Sequence, residues 1–207
     1  MLRVHGYAES LNVRKVLWLC AELSLDCELI ERGTTAFPAS APEYLARNPF
    51  GHVPLLEDGD FTLAESNTIL RYLARREGRR DLLPNEARAA ADVERWLDWQ
   101  ATDLNGSWRT AFVARYRNPG GDHDPALIAQ AQRSFDAKAR ILDDQLGRTG
   151  GHVAGTGFTL ADIPIGLSVR RWLAMESDVR LPYLAAYYER ICQRTAFGPF
   201  GGPGSPV

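Results

Sequence analysis

The sequence contains little cysteine, and the three cysteines that it has are far apart. Cys20, Cys27 and Cys192 form neither a disulfide framework nor a Cys-x-x-Cys redox pair. Such usage fits a reducing compartment. The first residues also lack a basic segment followed by an apolar run, so no signal peptide is expected and we predict a cytoplasmic protein.

Long apolar runs and a strong net charge are missing as well. No apolar stretch is long enough to span a bilayer. The formal net charge is -2 at pH 7, so charge alone predicts no binding to nucleic acid or to a membrane. The four histidines are scattered without metal-ligand spacing, and no glycine-rich phosphate loop follows the first strand. The sequence therefore predicts neither a metal site nor a nucleotide site.

The first 46 residues show alternating strand and helix patterns. Residues 2–6 form a strand pattern, and apolar residues at helical spacing follow Ser10. Residues 28–31 alternate as a second strand. Strand, helix and strand in about 30 residues make a βαβ unit, so these two strands are predicted to be parallel. A short helix is predicted over residues 42–46.

The most specific pattern lies between residues 48 and 66. Proline cannot donate a ladder hydrogen bond, so Pro54 belongs at a strand start or edge. A cis bond costs little before proline, and a cis Val53–Pro54 bond would turn the N–H and C=O groups of Val53 outward, toward a ligand backbone. The Asp-Gly pair that follows predicts a tight hairpin. The helix that opens near Ser66 offers unpaired N–H groups as a seat for a carboxylate.

Beyond residue 78 the periodic patterns are helical. Apolar residues mark a long fourth helix over 93–104 and a fifth over 127–146, and Thr159 with Asp162 has the spacing of a capping box. We predict a first domain over residues 1–78, a linker over 79–87, an all-helical domain over 88–196, and a flexible tail rich in Gly and Pro over 197–207.

Two of these patterns carry a family resemblance. Asn-Pro-x-x-x-Val-Pro-x-Leu, followed by Asp-Gly-Asp-Phe-x-Leu-x-Glu-Ser and an apolar helix, resembles the glutathione-binding half of the glutathione S-transferases. Ser10-x-Asn12-x-x-Lys15 is similar to the serine-type members, close to the theta class and its bacterial relatives. The resemblance implies an α/β plus all-α fold: an N-terminal thioredoxin-like domain (βαβαββα) followed by a C-terminal helical bundle. It also implies a homodimer with the third and fourth helices at its interface.

The resemblance also implies roles for residues of the first domain. Ser10 would stabilise the thiolate of glutathione, the cosubstrate, although serine at a helix start is equally typical of an ordinary N-cap. Tyr7 is the rival donor, because the tyrosine-type classes use a phenol near the end of the first strand. Asn12 is a second polar contact to the thiolate or makes a local turn contact.

The remaining cosubstrate contacts follow from the same resemblance. Val53, with Pro54, would pair with the cysteinyl backbone of glutathione. Ser66 would bind the γ-glutamyl carboxylate and Glu65 the ammonium group. His52 stands where relatives carry a basic residue for the glycine carboxylate, and it departs from the pair of lysines of the theta class. An exposed loop histidine is the alternative interpretation of His52.

The site for the second substrate is less distinct in the sequence. Four aromatic residues of the helical half, with Tyr7, are candidates for an apolar substrate pocket: Trp108, Phe112, Tyr116 and Trp172. Aromatic residues at helical spacing are also typical of a core. Arg109 and Arg115 would face an anionic group if the substrate carries one.

The function predicted is that of a detoxifying glutathione transferase, in which the glutathione thiolate attacks a small apolar electrophile. Two alternatives stay open at this point. One is a glutathione-dependent lyase, dehalogenase or peroxide reductase that uses the same thiolate on a different substrate. The other is a binding protein with this fold and little catalysis, which the presence of Ser10 argues against.

Overall fold

The computed structural model describes all 207 residues, which form two compact units. The first unit contains Met1–Asn85 together with Arg194–Val207, and the second contains Glu86–Gln193. Most of the predicted linker therefore belongs to the first unit, where Leu82 and Leu83 are buried. Because these two leucines are packed in the interior, the segment is part of the folded unit and is not a solvent-exposed linker.

Residues 1–85 of the first unit form a four-stranded mixed sheet with three helices. Its elements in chain order are β1 (Leu2–Gly6), α1 (Leu11–Glu22), β2 (Cys27–Glu31), α2 (Pro42–Leu45), β3 (Leu55–Asp58), β4 (Phe61–Ala64) and α3 (Ser66–Arg76). The strand order is β2-β1-β3-β4, with β1 parallel to β2 and β3 antiparallel to its two neighbours. This is the βαβαββα order of a thioredoxin-like domain, so the predicted βαβ unit and hairpin are confirmed.

The start of α1 lies close against the end of β1. A Cβ atom on Gly6 would meet Cγ2 of Val13 at 2.3 Å, and Val13 is fully buried. Only glycine leaves room for this approach. The turn that carries Ser10 is therefore held against the sheet from both sides, by β1 before it and α1 after it.

The second unit consists of helices. They are α4 (Ala87–Trp99), α5 (Asn105–Phe112), α6 (Pro125–Thr149), α7 (Asp162–Ala174) and α8 (Pro182–Cys192). Two π-helical segments, Gln100–Leu104 and Val113–Arg117, extend α4 and α5 into one helical stretch over residues 87–117. This stretch is longer than the predicted helix over 93–104. No helix in the structure is both long enough and apolar enough to cross a membrane.

Asp162 makes the backward contact expected of a capping box, although α7 begins at this residue and not before it. Its Oδ2 accepts hydrogen bonds from the Thr159 N–H at 2.8 Å and from the Thr159 hydroxyl at 3.2 Å. Its Oδ1 accepts from the Val153 N–H and the Tyr187 hydroxyl, both at 3.1 Å. The carboxylate thus ties α7 to α8 and to the preceding loop.

The C-terminal residues differ from the predicted flexible tail. They contain a short helix, α9 (Gly198–Gly201), and Phe197 is fully buried with its ring 4.5 Å from that of Trp18. Arg194 donates two hydrogen bonds, at 2.8 and 2.7 Å, to the Glu22 carboxylate. Arg14 donates to the Phe200 carbonyl at 2.9 Å. Glycine and proline weaken local structure, but these contacts to α1 fix the segment from outside.

Phe197 is therefore expected to contribute as a core residue. Replacing Phe197→Ala should lower the free energy of unfolding by ~3–5 kcal/mol, because a large buried ring is lost and a cavity is left. The measurement is denaturant unfolding followed by far-ultraviolet circular dichroism. Phe37→Ala is the matched control, since Phe37 is 47% exposed and its loss should change stability little. Equal effects of the two substitutions would contradict the packing described.

The ion pair between Glu22 and Arg194 should make part of the stability depend on pH. Burial alone would raise the pKa of Glu22, but hydrogen bonds from Arg194 and Trp18 outweigh it and hold the pKa below its usual value. A carboxyl with a lowered folded pKa stabilises the protein above its unfolded pKa of about 4.3, and this contribution fades as the pH falls below that value. Arg194→Met should therefore destabilise the protein at pH 7 and progressively less at acid pH. A destabilisation that is the same at pH 7 and pH 3 would contradict this account.

Candidate active site

A pocket of about 180 Å³ opens in the first unit where α1, the segment before β3 and the start of α3 meet. Its lining includes all six residues predicted to contact the cosubstrate: Asn12, His52, Val53, Pro54, Glu65 and Ser66. Asn48, Phe50 and Ala64 complete it. These residues come from three separate parts of the sequence, and the fold of the first unit brings them together.

The loop before β3 is held by two side chains that the sequence analysis did not single out. The Tyr44 hydroxyl donates to the His52 carbonyl at 2.7 Å, and the Asn48 amide donates to the same oxygen at 2.6 Å. The Asn48 Oδ1 accepts from the Phe50 N–H at 3.2 Å. Tyr44 and Asn48 are both buried, and burial raises the pKa of the Tyr44 phenol, so it stays a neutral donor. Two donors on one carbonyl fix the backbone immediately before Val53.

The Val53–Pro54 peptide bond is cis, which is the form that the backbone pairing expected of Val53 requires. Pro54 is buried at the start of β3, while Val53 is half-buried and borders the pocket. Neither the N–H nor the C=O group of Val53 has a hydrogen-bond partner within the chain. A peptide backbone that entered the pocket would find both groups available for pairing.

The start of α3 forms a second side of the pocket. Glu65 precedes the helix with φ = 69°, a region that non-glycine residues rarely occupy, and its exposed side chain makes no cap hydrogen bond. Strain of this kind costs roughly 1–3 kcal/mol and is concentrated at functional sites. Ser66 is buried and follows as the first helical residue. The first N–H groups of α3 have no side-chain cap, and the positive end of the α3 dipole lies at Ser66, which lines the pocket.

Ser10 occupies the N-cap position of α1 without acting as a cap through its side chain. Its backbone is extended, with φ = -72° and ψ = 118°, and its hydroxyl makes no hydrogen bond to the first turn. The backbone carbonyl of Ser10 accepts from the Arg14 N–H at 2.9 Å, as a helix start requires. Two residues later, Asn12 lines the pocket. Ser10 is half-buried and does not itself line the pocket, but its hydroxyl has no hydrogen-bond partner within the chain and the residue lies two positions before Asn12 of the pocket wall.

His52 and Tyr7 are placed differently from the other predicted residues. The exposed ring of His52 lines the pocket but hydrogen-bonds through Nδ1 to the Phe50 carbonyl of its own loop. Tyr7 does not line this pocket, and its ring lies over Gly33, where an added Cβ would approach it to 3.3 Å.

The four aromatic candidates for the substrate pocket lie in the second unit. Trp108, Phe112 and Tyr116 follow one another at i, i+4 spacing, with ring centroids 5.4 and 5.3 Å apart. Trp172 donates its indole N–H to Asp136 at 2.8 Å. Phe112 and Trp172 are buried, whereas Tyr116 is exposed. The row therefore runs from the core of this unit to its surface.

An arginine that the sequence analysis missed lies against this aromatic row. The guanidinium of Arg171 is 4.3 Å from the Trp108 ring centroid and 3.9 Å from that of Phe112, and its side chain is buried. Cation–π contacts of this kind are worth up to about 2 kcal/mol when desolvated. Of the two arginines proposed for an anionic substrate, Arg115 donates to the Met175 carbonyl at 2.5 Å, and Arg109 is exposed.

Comparison with known proteins gives a consistent result. The family model described as "Glutathione S-transferase, N-terminal domain" matches residues 1–75. Glutathione S-transferase GstB of Escherichia coli (strain K12) is 32% identical over 199 residues, which cover 95% of each chain. Glutathione S-transferase 3 of Zea mays is 32% identical over 206 residues, covering 95% of this chain and 91% of the other.

Solved structures agree with the sequence relatives. The theta-class glutathione S-transferase of Xanthomonas axonopodis pv. citri, with glutathione bound, superposes with a TM-score of 0.87 at 32% identity. The match covers 97% of this chain and 96% of that one. With sequence relatives above 30% identity along almost the whole chain, the protein belongs to the glutathione S-transferase family.

Proposed function

We propose that the pocket binds glutathione and that Ser10 keeps its thiol ionised for attack on a small apolar electrophile. The observation that carries this proposal is that six residues of matching chemistry line one pocket. One of them, Asn12, lies two residues after Ser10, whose hydroxyl makes no cap hydrogen bond. The E. coli and maize relatives are named as transferases of this kind, and the Xanthomonas relative is described with glutathione bound.

Each part of the peptide has a matching group in the pocket. The unpaired backbone of Val53 suits the cysteinyl backbone, which offers one donor and one acceptor. The Ser66 hydroxyl and the first N–H groups of α3 suit the γ-glutamyl carboxylate, since a helix N-terminus favours an anion. The exposed carboxylate of Glu65 suits the neighbouring ammonium group. His52 is offered for the glycine carboxylate as the weakest of these assignments, because its ring is already bonded to Phe50.

Ser10 needs to supply only a modest stabilisation of the thiolate. A free thiol has a pKa of about 8.5, so only a few per cent is thiolate at neutral pH. Lowering this pKa by about two units requires ~2.7 kcal/mol of differential stabilisation. A hydrogen bond to an anion supplies ~1.5–3 kcal/mol, and the dipole of α1 adds ~0.3–1 kcal/mol. These two contributions suffice without a separate general base. The thiolate then attacks the electrophilic carbon, and the leaving group departs with its electron pair.

The second substrate is proposed to be apolar because Trp108, Phe112 and Tyr116, the candidate residues for its pocket, have aromatic side chains. The choice between conjugation and peroxide reduction depends on the electrophile and not on the thiolate. Turnover of a chloronitrobenzene compared with turnover of an organic peroxide would separate these two reactions. Binding of glutathione without turnover of either would favour the alternative of a non-catalytic binding protein.

We further propose that two copies of the chain associate with α3 and α4 at the interface, as the resemblance implies, and that the surface formed by β4 and α3 is the part contributed by the first unit. Phe61 is 44% exposed there, with its ring 5.2 Å from that of Tyr72. Leu63 and three arginines (Arg71, Arg75 and Arg76) surround these rings. An apolar patch with a charged rim is typical of a protein–protein interface.

Replacing Ser10→Ala tests the proposed mechanism. Loss of the hydroxyl should raise the pKa of bound glutathione by ~1–2 units and slow turnover at pH 7 by about 10- to 100-fold, since one hydrogen bond to the anion is lost. Glutathione affinity should change little. The measurements are the ultraviolet absorbance of the thiolate as a function of pH and kcat at saturating glutathione.

The controls follow from the position of Ser10. Ser10→Thr keeps a hydroxyl and should retain most of the thiolate absorbance. The melting temperature of Ser10→Ala should stay near that of the unaltered protein, because no side-chain cap is lost. Unchanged turnover in Ser10→Ala would remove Ser10 from the mechanism and make Tyr7 or Asn12 the candidate donor.

Replacing Phe61→Asp tests the proposed association. A charge at the centre of the patch should convert the dimer to a monomer at micromolar concentration, because burying an unpaired carboxylate is costly. The measurement is the molar mass from light scattering after gel filtration. Phe37→Asp is the control, since Phe37 is similarly exposed but lies outside the patch. A mass unaffected by Phe61→Asp would contradict this choice of interface.

A further inference from the structure

Lysine is rare in this chain, and one of its two lysines is buried. Among 24 basic residues only Lys15 and Lys138 are lysines. Lys138 lies on α6 and pairs with Asp103 at 3.0 Å at the surface of the second unit. Lys15 lies on α1 and is only 1% exposed. Lysine is almost never fully buried unless its charge is compensated, so this position calls for a physical reason.

The Lys15 amino group lies directly behind the start of α3. Its Nζ is 3.1 Å from the Asn67 Oδ1 and 3.4 Å from the Ser66 Oγ. These two of its contacts are with neutral oxygen atoms of the first helical turn, and both residues are buried. Ser66 also lines the pocket. Lys15 therefore donates to a side chain of the pocket wall.

This contact determines what the Ser66 hydroxyl can do. A hydroxyl has one hydrogen to donate and two lone pairs with which to accept. Because Lys15 donates to Oγ, the hydroxyl hydrogen is left to donate elsewhere, and the pocket is the side on which an acceptor can arrive. The ammonium charge and the positive end of the α3 dipole have the same sign and both favour an anion in front of Ser66.

We propose that Lys15 is a positioning residue that acts through Ser66 to make this end of the pocket select a carboxylate. The inference rests on the proposed function, in which that carboxylate is the α-carboxylate of the γ-glutamyl group. Lys15 does not touch the ligand. It orients the hydroxyl that does, and it supplies a buried positive charge that a neutral ligand cannot use.

Two substitutions and two ligands test this role by calorimetry. Lys15→Met removes the charge with little change in length, and Lys138→Met removes the other lysine as a control. The ligands are glutathione and its analogue without the γ-glutamyl α-carboxylate, 4-aminobutanoyl-cysteinyl-glycine. In Lys15→Met, glutathione affinity should fall at least ~10-fold, which is ~1.4 kcal/mol, while analogue affinity should change less than ~2-fold. Lys138→Met should keep the full preference of the unaltered protein.

A purely structural role for Lys15 gives a different pattern. Collapse of the pocket would weaken glutathione and the analogue by the same factor, and that result would overturn the proposal. An undiminished preference for glutathione in Lys15→Met would overturn it as well. If the unaltered protein does not bind glutathione, the proposed function itself fails and the role of Lys15 with it.

A second measurement needs no substitution at the buried site. Labelling lysine with ¹³C at Cε gives two side-chain NMR signals, because the chain has two lysines, and Lys138→Met assigns them. Glutathione should shift the Lys15 signal, the analogue should shift it less, and the Lys138 signal should stay in place. A Lys15 signal that glutathione leaves unmoved would overturn the proposal even if Lys15→Met does not fold.

Discussion

The N–H groups at the starts of α1 and α3 are the constraint on which the candidate site depends. A helix leaves its first N–H groups without partners inside the helix, and a side chain usually supplies one. Glu86 and Asp124 do so for α4 and α6. Ser10 and Glu65 do not do so for α1 and α3. The starts of α7 and α8 are uncapped as well, but those of α1 and α3 adjoin the pocket, where an uncapped helix start suits a ligand with negative charge.

The sheet and the loop before β3 hold these two helix starts in place. Gly6 allows α1 to lie against β1, which fixes the turn at Ser10. Tyr44 and Asn48 hold the His52 carbonyl, which fixes the backbone of Val53 between the two helix starts. Lys15 connects α1 to the first turn of α3 from inside the unit. The arrangement is rigid where an anionic peptide would need donors, and this preorganisation lowers the cost of binding.

The sequence predicts those parts of the molecule that depend on near neighbours. The hairpin and the βαβ unit follow from turn chemistry and periodicity within a few residues, whereas proline makes a cis bond before Pro54 inexpensive without requiring it. The partners of Lys15 and Phe197 are not predictable in this way because they are distant in the sequence: Ser66 lies 51 residues from Lys15, and Trp18 packs on Phe197 from the other end of the chain. The glycine and proline residues after Phe197 indicate weak local structure, but they do not indicate whether the segment makes long-range contacts. Tyr44 has no signal in the sequence, and Asn48 enters only as the first residue of the family motif, because buried polar residues that hold a carbonyl have no periodic pattern.

If this pocket takes up glutathione and ionises its thiol, binding must release a proton. Titration calorimetry at pH 7 in two buffers of different ionisation enthalpy tests both parts together. Binding should be saturable at one site per chain and should release most of one proton. The proton is released because a thiol that is only a few per cent ionised in solution becomes a thiolate when bound. No saturable heat, or binding without proton release, would contradict the proposed function.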